Sequence, residues 1–561
     1  MRIFCLLLIA LTFALTGFAQ KDTTDTGLFG GAANSARMLA AKHEYNVNNM
    51  RGALTLYREI LNSEPENAAA HYWTAKCHYK LKRYDLSRQY LDKSVELDPS
   101  VKGDVEFFYG QIHHRLAELD EALQSFADFL MHQTNRSDVQ VDISNEASVL
   151  AFLDGIEDRH WNDYEKYMAQ KHMRQCLFAR EAMKKPANVK IENMGRNVNS
   201  RFDDYTPSVS ASGDLILFTS RRSDTKGGEI DEGGDFKYFE DIYYAEWRED
   251  KKEWSKSRGV EGEVNTPTYD AILSLSPNAD RMFIYKNNRE SAGDIFMSVY
   301  DKHGEEWRAP EKLPRPINTS YYEGSVSITA DGQTLYFVSE RAEGQGMGDI
   351  YVSEKKGEGW SSPKNLGEVI NTDWDEKFVF IHPNGRTIYF ASNGHQTMGS
   401  YDIFKSEYVN GKWGIPVNLG YPINTVNEES TFSLTKDNRT MLIAAEYEDT
   451  FGERDIYSID VSAYPLISRG YDSSTFGTVI VTASDADGDR LKKVQVDVMA
   501  STGDRVIATE KTNKLGTAKI SLPGNTKYKI VLTYKDQIEE RIVELQMKDG
   551  GDVLQKLEVT F

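Results

Sequence analysis

Ser325–Tyr351 reads SVSITADGQTLYFVSERAEGQGMGDIY, and this stretch sets the architecture of most of the chain. Ser325 to Ile328 alternates small polar and β-branched residues at the two-residue period of a strand. Asp331-Gly332 supplies residues that tolerate the positive φ of a tight hairpin. Leu335–Ser339 is a second, aromatic strand, and Asp349-Ile350-Tyr351 opens a third. On either side the same order recurs. The Asp of Asp-Ile-Tyr/Phe stands at 241, 294, 349, 402 and 455, with separations of 53, 55, 53 and 53 residues. Each copy opens on Val198-Asn199-Ser200, Val264-Asn265-Thr266, Ile317-Asn318-Thr319, Ile370-Asn371-Thr372 or Ile423-Asn424-Thr425. The hairpin recurs at Ser212-Gly213-Asp214, Asn384-Gly385 and Asp437-Asn438. Four short strands in a unit of this length, with polar turns between them, are what a propeller blade needs. The five copies predict a five-bladed all-β propeller over residues 187–463.

Trp254, Trp307, Trp360 and Trp413 follow successive Asp-Ile-Tyr/Phe motifs, placed to fill space between neighbouring blades. The first copy begins with an outer-strand element at Asn193-Met194-Gly195, and the last ends at Asp455–Ile459. One blade should therefore combine strands from both ends of the domain, removing free sheet edges. An Asp that occurs once per unit reads as a turn carboxylate accepting backbone N–H groups rather than a metal or catalytic residue. The first copy alone carries an insertion, Ser223–Phe239. A projecting Gly- and acid-rich loop is either a contact site or an idle loop, and the residues leave both open. The units resemble the TolB-type, WD-repeat-like propeller family.

Residues 33–185 carry the helical period instead. Asn67–Pro99, NAAAHYWTAKCHYKLKRYDLSRQYLDKSVELDP, places small residues Ala75 and Ser87 where two helices touch, Tyr84 at the turn and Pro99 at the end. Ala41 and Ala53 hold the same separation of 12 residues upstream, and Gly110 and Ala122 hold it downstream. Small residues let the two helices of a unit approach, and each unit buries its apolar face on the next. A last helical pair, Glu146–Lys184, should cap the array, with Pro186 ending it. This all-α solenoid resembles the tetratricopeptide repeat family, which implies protein docking through a concave groove. His71, His78, His113 and His114 read as surface or groove residues, since no third ligand stands at metal-site spacing.

After a linker at Tyr464–Thr475, alternation resumes from Gly477 to the end. The Asp485–Asp489 loop, Val494–Val498, Thr512–Gly516 and the Leu522–Tyr528 turn resemble the carboxypeptidase-regulatory-like domain, which implies a small β-sandwich over 476–561. Asp485, Asp487 and Asp489 could suggest a calcium loop. Val496 stands where the bidentate Glu would be, so a plain hairpin turn is expected.

Met1–Gln20 has a basic start at Arg2, an apolar run and a small-x-small site at Gly17-Phe18-Ala19. Residues 1–19 therefore read as a secretory signal, too short in its apolar part to span a bilayer. Cys5 lies inside that run. Cys77 and Cys176 fall on helical patterns and read as small buried hydrophobes rather than a disulfide pair. Export to the periplasm is expected, with no lipid anchor. The 86 acidic and 66 basic residues give a net charge of −20, spread along the chain, which disfavours nucleic acid and anionic lipid. No Gly-x-Ser-x-Gly elbow, phosphate-cradling loop or Cys-x-x-Cys stands in the sequence. No catalytic, cofactor-binding or metal-ligating residue is expected, and no cofactor.

Helical repeats, propeller and sandwich, in that order behind an export signal, resemble PorE proteins of the Bacteroidetes type IX secretion system. The resemblance implies a non-catalytic scaffold associated with the outer membrane, docking other envelope proteins through the repeat groove and a propeller face. That family continues into an OmpA-like wall-binding domain, which residues up to Phe561 do not include. Either a related protein without the anchor or a truncated chain would account for this, and peptidoglycan contact is not expected of these residues. The competing reading is a glycan- or peptide-binding propeller.

Overall fold

The computed structural model describes residues 28–100, 105–134, 140–156, 163–232, 235–286, 293–301, 303–409, 411–468, 476–500, 506–523, 526–545 and 554–561. The expected export signal lies outside the described residues, as does most of the linker. No helix among the described residues is long and apolar enough to cross a membrane. By compactness the chain divides into two units: one holds α1–α4, and the other holds every element from α5 on.

The first unit pairs α1 (Leu28–Asn46) with α2 (Met50–Ser63) and α3 (Ala68–Lys80) with α4 (Tyr84–Leu97). Ala41, Ala53 and Ala75 are fully buried, and the Ser87 hydroxyl donates to the Ala75 carbonyl at 2.9 Å, bridging α4 to α3 at their closest approach. Asn49 and Asn67 cap α2 and α3 by accepting the Gly52 and Ala70 amides at 3.0 and 2.9 Å.

In the second unit α5 (Val105–Arg115), α6 (Leu119–Gln133), α7 (Glu146–Asp154) and α8 (Tyr164–Met183) share one apolar core. Gly110 is obligatory in α5, because a Cβ there would lie 2.6 Å from the Phe126 ring. The turns between paired helices hold Asn48, Lys82 and Ala117 at φ of 64°, 57° and 58°. Left-handed backbone costs a residue with a side chain about 1 kcal/mol. Ala117→Gly should therefore raise stability by up to about 1 kcal/mol, read as a higher unfolding midpoint.

Five antiparallel sheets follow. The first is β2 (Asp204–Val209), β3 (Leu215–Ser220) and β4 (Asp241–Arg248). The second is β5 (Asp270–Leu275), β6 (Arg281–Lys286) and β7 (Asp294–Asp301). The third is β8 (Glu323–Ile328), β9 (Thr334–Ser339) and β10 (Asp349–Lys356). The fourth is β11 (Glu376–Ile381), β12 (Thr387–Ser392) and β13 (Asp402–Val409). The fifth is β14 (Phe432–Leu434), β15 (Thr440–Ala445) and β16 (Asp455–Asp460), completed by β1 (Lys190–Asn193), which pairs with β16. In the other four, two-residue segments extend the outer edge. The pairing of β1 with β16 joins the two ends of the repeat, as the offset of its first and last copies predicts.

Apolar clusters lie between successive sheets, each including the Val or Ile of one Val/Ile-Asn motif: Val198, Val264, Ile317, Ile370 and Ile423. Trp254, Trp307, Trp360 and Trp413 pack against four of these clusters. The serines of the innermost strands tie neighbours together. Leu275 N–H donates to Ser208 Oγ at 2.8 Å, and the Ser274 hydroxyl donates to the Val326 carbonyl at 2.6 Å. Val379 and Ile381 donate to Ser325 and Ser327, each at 3.1 Å. Phe378 meets Phe432 edge-on at 5.1 Å, and Val209 N–H donates to Ser433 at 3.1 Å. The contacts thus return from the fifth sheet to the first and close a ring.

Beyond the ring, α9 (Pro465–Ser468) leads to β17 (Phe476–Ser484), β18 (Gln495–Ala500), β19 (Val506–Lys511), β20 (Thr517–Pro523), β21 (Thr526–Tyr534), β22 (Gln537–Leu545) and β23 (Leu554–Thr560). These strands form a sheet in the order β20-β17-β23 and another in the order β19-β18-β21-β22. Val479, Val481, Val496, Ile530 and Leu532 are among the residues of their shared core.

Candidate functional site

The motifs that repeat in sequence turn out to be the fasteners of the ring. Asn199, Asn265, Asn318, Asn371 and Asn424 are all buried. Each accepts the amide of the Ile in an Asp-Ile motif, at 2.8, 2.8, 2.9, 2.8 and 2.8 Å, and returns its own N–H to the same residue's carbonyl. Asn199 does so to Ile456, at the opposite end of the repeat. The Asp of Asp-Ile is equally structural. Asp241 accepts Lys226 N–H at 2.6 Å, Asp402 accepts Met398 N–H at 2.8 Å, and Asp455 accepts Phe451 N–H at 2.9 Å. Asp294 differs, accepting the Lys312 ammonium at 2.7 Å.

A second acidic position was not singled out from the sequence. Asp204, Asp270, Glu323 and Glu376 are buried at the start of the innermost strands, and Glu429 is buried three residues before β14. Each takes the backbone N–H of the Ser or Thr four residues earlier. Aligning the five copies on Thr-x-x-x-Asp/Glu would have revealed it. Asp204, Asp270, Glu376 and Glu429 also donate their own amides to Arg454, Glu240, Gly348 and Tyr401 carbonyls of the preceding sheet, at 3.0, 2.9, 2.8 and 3.0 Å.

First and third strands of a sheet start at the same end of the ring, so the residues preceding them gather there. The result is a cluster of tyrosines and carboxylates drawn from all five sheets. Arg454 makes a two-point pair with Asp203 at 2.7 and 2.8 Å and lies 4.2 Å from the Tyr205 ring centre. The Tyr205 hydroxyl bonds Glu240, Tyr285 and Tyr322 meet at 5.8 Å, and Tyr401 donates to Asp375 at 2.5 Å. Lys377 pairs with Glu428 at 3.0 Å. Burial, then the like charges of Asp375 and Glu323, push the Glu340 carboxyl above the usual range. Burial pushes the Tyr285 phenol up to about 12. Tyr321 and Met347 are exposed beside this cluster. The arrangement offers flat aromatic faces and hydrogen-bond acceptors.

The fourth and fifth sheets present their share of the same end to the helices. His114 Nε2–H donates to the Met398 carbonyl at 2.8 Å, and Arg115 donates to the Val426 carbonyl at 2.5 Å. The Gln175 amide donates to Thr397 Oγ1 at 2.7 Å and to the Gly399 carbonyl at 2.5 Å. Tyr167 stacks on Trp374 at 5.5 Å, and the Lys171 ammonium lies 3.2 Å from the same ring's centre. Burial pushes that ammonium down to about 7. Met398 and Val426 belong to the helical core itself. Burial, followed by the charge of Asp402, raises the nearby Glu429 to about 8.

His114 therefore departs from the expectation of a surface or groove residue: it is 1% exposed, because the third repeat buries its second helical face against the ring. His78 is also buried, stacked on Tyr90 at 5.2 Å, while His71 and His113 stay partly exposed, bonding the Pro65 carbonyl and Glu118. Cys77 and Cys176 are buried free thiols. Asp485 spends its carboxylate on the Asp487 and Asp489 amides at 3.1 and 2.8 Å, which makes it a turn residue. The insertion folds back on the ring: Arg221 Nε donates to the Tyr238 carbonyl at 2.6 Å, and Asp231 bonds the Tyr269 hydroxyl.

Among solved structures, TolB from Acinetobacter baumannii is similar at 14% identity and a TM-score of 0.31, over 47% of this chain and 56% of that one. The alpha-L-arabinofuranosidase PaAbf62A from Podospora anserina is 12% identical, with a TM-score of 0.31, over 49% and 97%. The periplasmic gluconolactonase PpgL from Pseudomonas aeruginosa is 11% identical, with a TM-score of 0.25, over 61% and 86%. Likeness of this size carries no functional argument. No match is found among curated proteins. Residues 38–102 match the tetratricopeptide repeat family, so the N-terminal helices up to α4 include repeats of this kind.

Proposed function

We propose that this chain is a non-catalytic envelope scaffold of the PorE kind, serving type IX secretion or envelope assembly from the periplasmic side of the outer membrane. In this reading the five sheets are the blades of a closed propeller and the last two sheets are a sandwich. The observation that carries it is the fastening of α5 and α8 onto the fourth and fifth sheets. Helices α5 to α8 and a ring that presents loops are joined within one unit, which suits a scaffold. The sandwich joins the same unit through Lys527 and Glu146, at 3.3 Å. Affinity purification of the full chain from an envelope extract should recover outer-membrane or secretion proteins. Lys76→Glu, on α3 beside Tyr72, should lower that recovery. Hydrolysis of a peptide or glycoside panel by the purified chain would overturn the reading.

The second reading is glycan or peptide capture at the tyrosine–carboxylate cluster, favoured by aromatic faces and carboxylates sharing one end of the ring. Binding of isolated cell-wall sugars that Tyr321→Ala abolishes, with no protein partner recovered, would put it first.

A further inference from the structure

The only strand pairing between the two ends of the repeat, among the described residues, is made by one short strand. Between other neighbours the chain runs on continuously, whereas the fifth sheet meets the first through β1, whose four residues, Lys190 to Asn193, pair with Asp460 to Tyr457. The residues that precede β16 and β2 at this join are Arg454 and Asp203. The corresponding positions at the other joins are Glu240 with Tyr269, Gly293 with Tyr322, Gly348 with Asp375, and Tyr401 with Glu428. Only the join between the two ends of the repeat holds opposite charges there. Asp203 is 5% exposed, and the pair is bidentate, the strong form of carboxylate–guanidinium contact. Across the fourth and fifth sheets, Lys377 and Glu428 pair at 3.0 Å with both side chains partly exposed.

The insertion of the first copy lands on this same join. Lys237 bonds Glu453 and lies 3.6 Å from Asp203. Tyr238 meets Phe202 edge-on at 5.5 Å and is held from behind by Arg221. Residues 202 and 203 lead into the first sheet, and 453 and 454 into the last strand of the fifth.

We infer that the C-terminal end of the first-copy insertion, at Lys237 and Tyr238, is a brace for the seam of the ring, with Lys237, Glu453, Arg454 and Asp203 forming a four-charge lock that supplements β1. The role explains why only the first copy carries an insertion: the first sheet is the one whose neighbour lies at the other end of the repeat. It is separate from the scaffold reading and stands or falls without it.

Amide hydrogen exchange on the full chain tests the lock, because exchange reports local opening segment by segment. Lys237→Glu places a third acid beside Asp203 and Glu453. It should speed exchange in β1, β2 and β16 about tenfold and leave β8–β13 unchanged. Adding Glu453→Lys restores an opposite-charge pair and should bring the rates back to within about twofold of the starting chain. Lys377→Glu, at the fourth-to-fifth join, should not accelerate β1. Unchanged seam exchange in Lys237→Glu, acceleration spread evenly over all five sheets, or no rescue by the swap would each overturn the inference. Arg454→Lys, which keeps the charge and loses the second contact point, should open the seam without unfolding the other sheets.

Discussion

Acidification from pH 6.5 to 4.5 should weaken the second unit by about 2 kcal/mol through His114 alone, since the unfolded ring is half protonated at the start of this range and fully so at its end. Burial pushes this imidazole down to about 3, with Arg115 adding to the shift. His172, 5.4 Å away, is also held well below the usual range, by burial first and then by His114, Arg115 and Lys171. The unfolded chain takes up protons at both rings near pH 6.5, while the folded chain refuses them. Stability is therefore complete above pH 6.5 and falls as pH drops toward the folded values. The loss should concentrate where the rings sit, between α5, α8 and the loops holding Met398 and Thr397. Denaturant unfolding at a series of pH values measures it. His114→Gln can still donate to the Met398 carbonyl but cannot charge, so it should flatten the slope between pH 6.5 and 4.5. A slope unchanged by that variant would refute the assignment.

Replacing one of the five repeated asparagines should cost still more than a surface change suggests. Asn371 is fully buried, accepts Ile350 N–H at 2.8 Å, and donates to the Ile350 carbonyl at 3.0 Å and Asn365 at 2.7 Å. Asn371→Ala leaves the buried Ile350 N–H without its acceptor, at about 1–3 kcal/mol, while the Ile350 carbonyl keeps Leu366 N–H at 3.1 Å and Asn365 Oδ1 keeps Gly367 N–H at 2.8 Å. We expect a loss of about 2–3 kcal/mol, and a similar one at Asn318 and Asn424, where the Ile295 and Ile403 carbonyls likewise keep the Leu313 and Leu419 amides. Asp is not a substitute, because it lacks the amide hydrogens that reach the two acceptors. Chemical denaturation of the full chain, followed by the fluorescence of the tryptophans that pack between sheets, gives the value. A loss below about 1 kcal/mol would mean that water replaces these bonds.

The sequence was most informative where one residue type recurs at a fixed interval. The alternation in Leu335–Ser339, the Asp-Gly turn before it and the return of Asp-Ile-Tyr/Phe identify strands and their order, because backbone periodicity is local. The offset between Asn193-Met194-Gly195 and Asp455–Ile459 showed that the last sheet borrows a strand from the front of the repeat. The spacing of Ala41, Ala53, Ala75, Ser87, Gly110 and Ala122 located the helical pairs for the same reason. The repeated Asp of Asp-Ile could be assigned to turns without any coordinates, since five equal copies argue for a shared structural duty.

Other features had no local signal. His114 and Arg115 look like any basic residues at the end of a surface helix, yet they fasten to carbonyls 284 and 311 residues away. The acids at the starts of the innermost strands are as polar on paper as those of an exposed loop, and only burial separates them. The residue just before each of them varies in identity from Asp203 to Tyr269 to Glu428, so no motif announces the cluster at that end of the ring. The insertion could be read only as a contact loop or an idle one, because its partner Glu453 lies 216 residues further on. Sequence by itself thus determined the order of the modules, the repeats within them and the joining of the chain's ends. Tertiary structure alone decided which charges are buried together, where the third helical repeat is fastened, and what holds the seam. Hydrogen bonding and periodicity act between near neighbours, whereas desolvation and charge pairing depend on whatever the fold brings within a few ångströms.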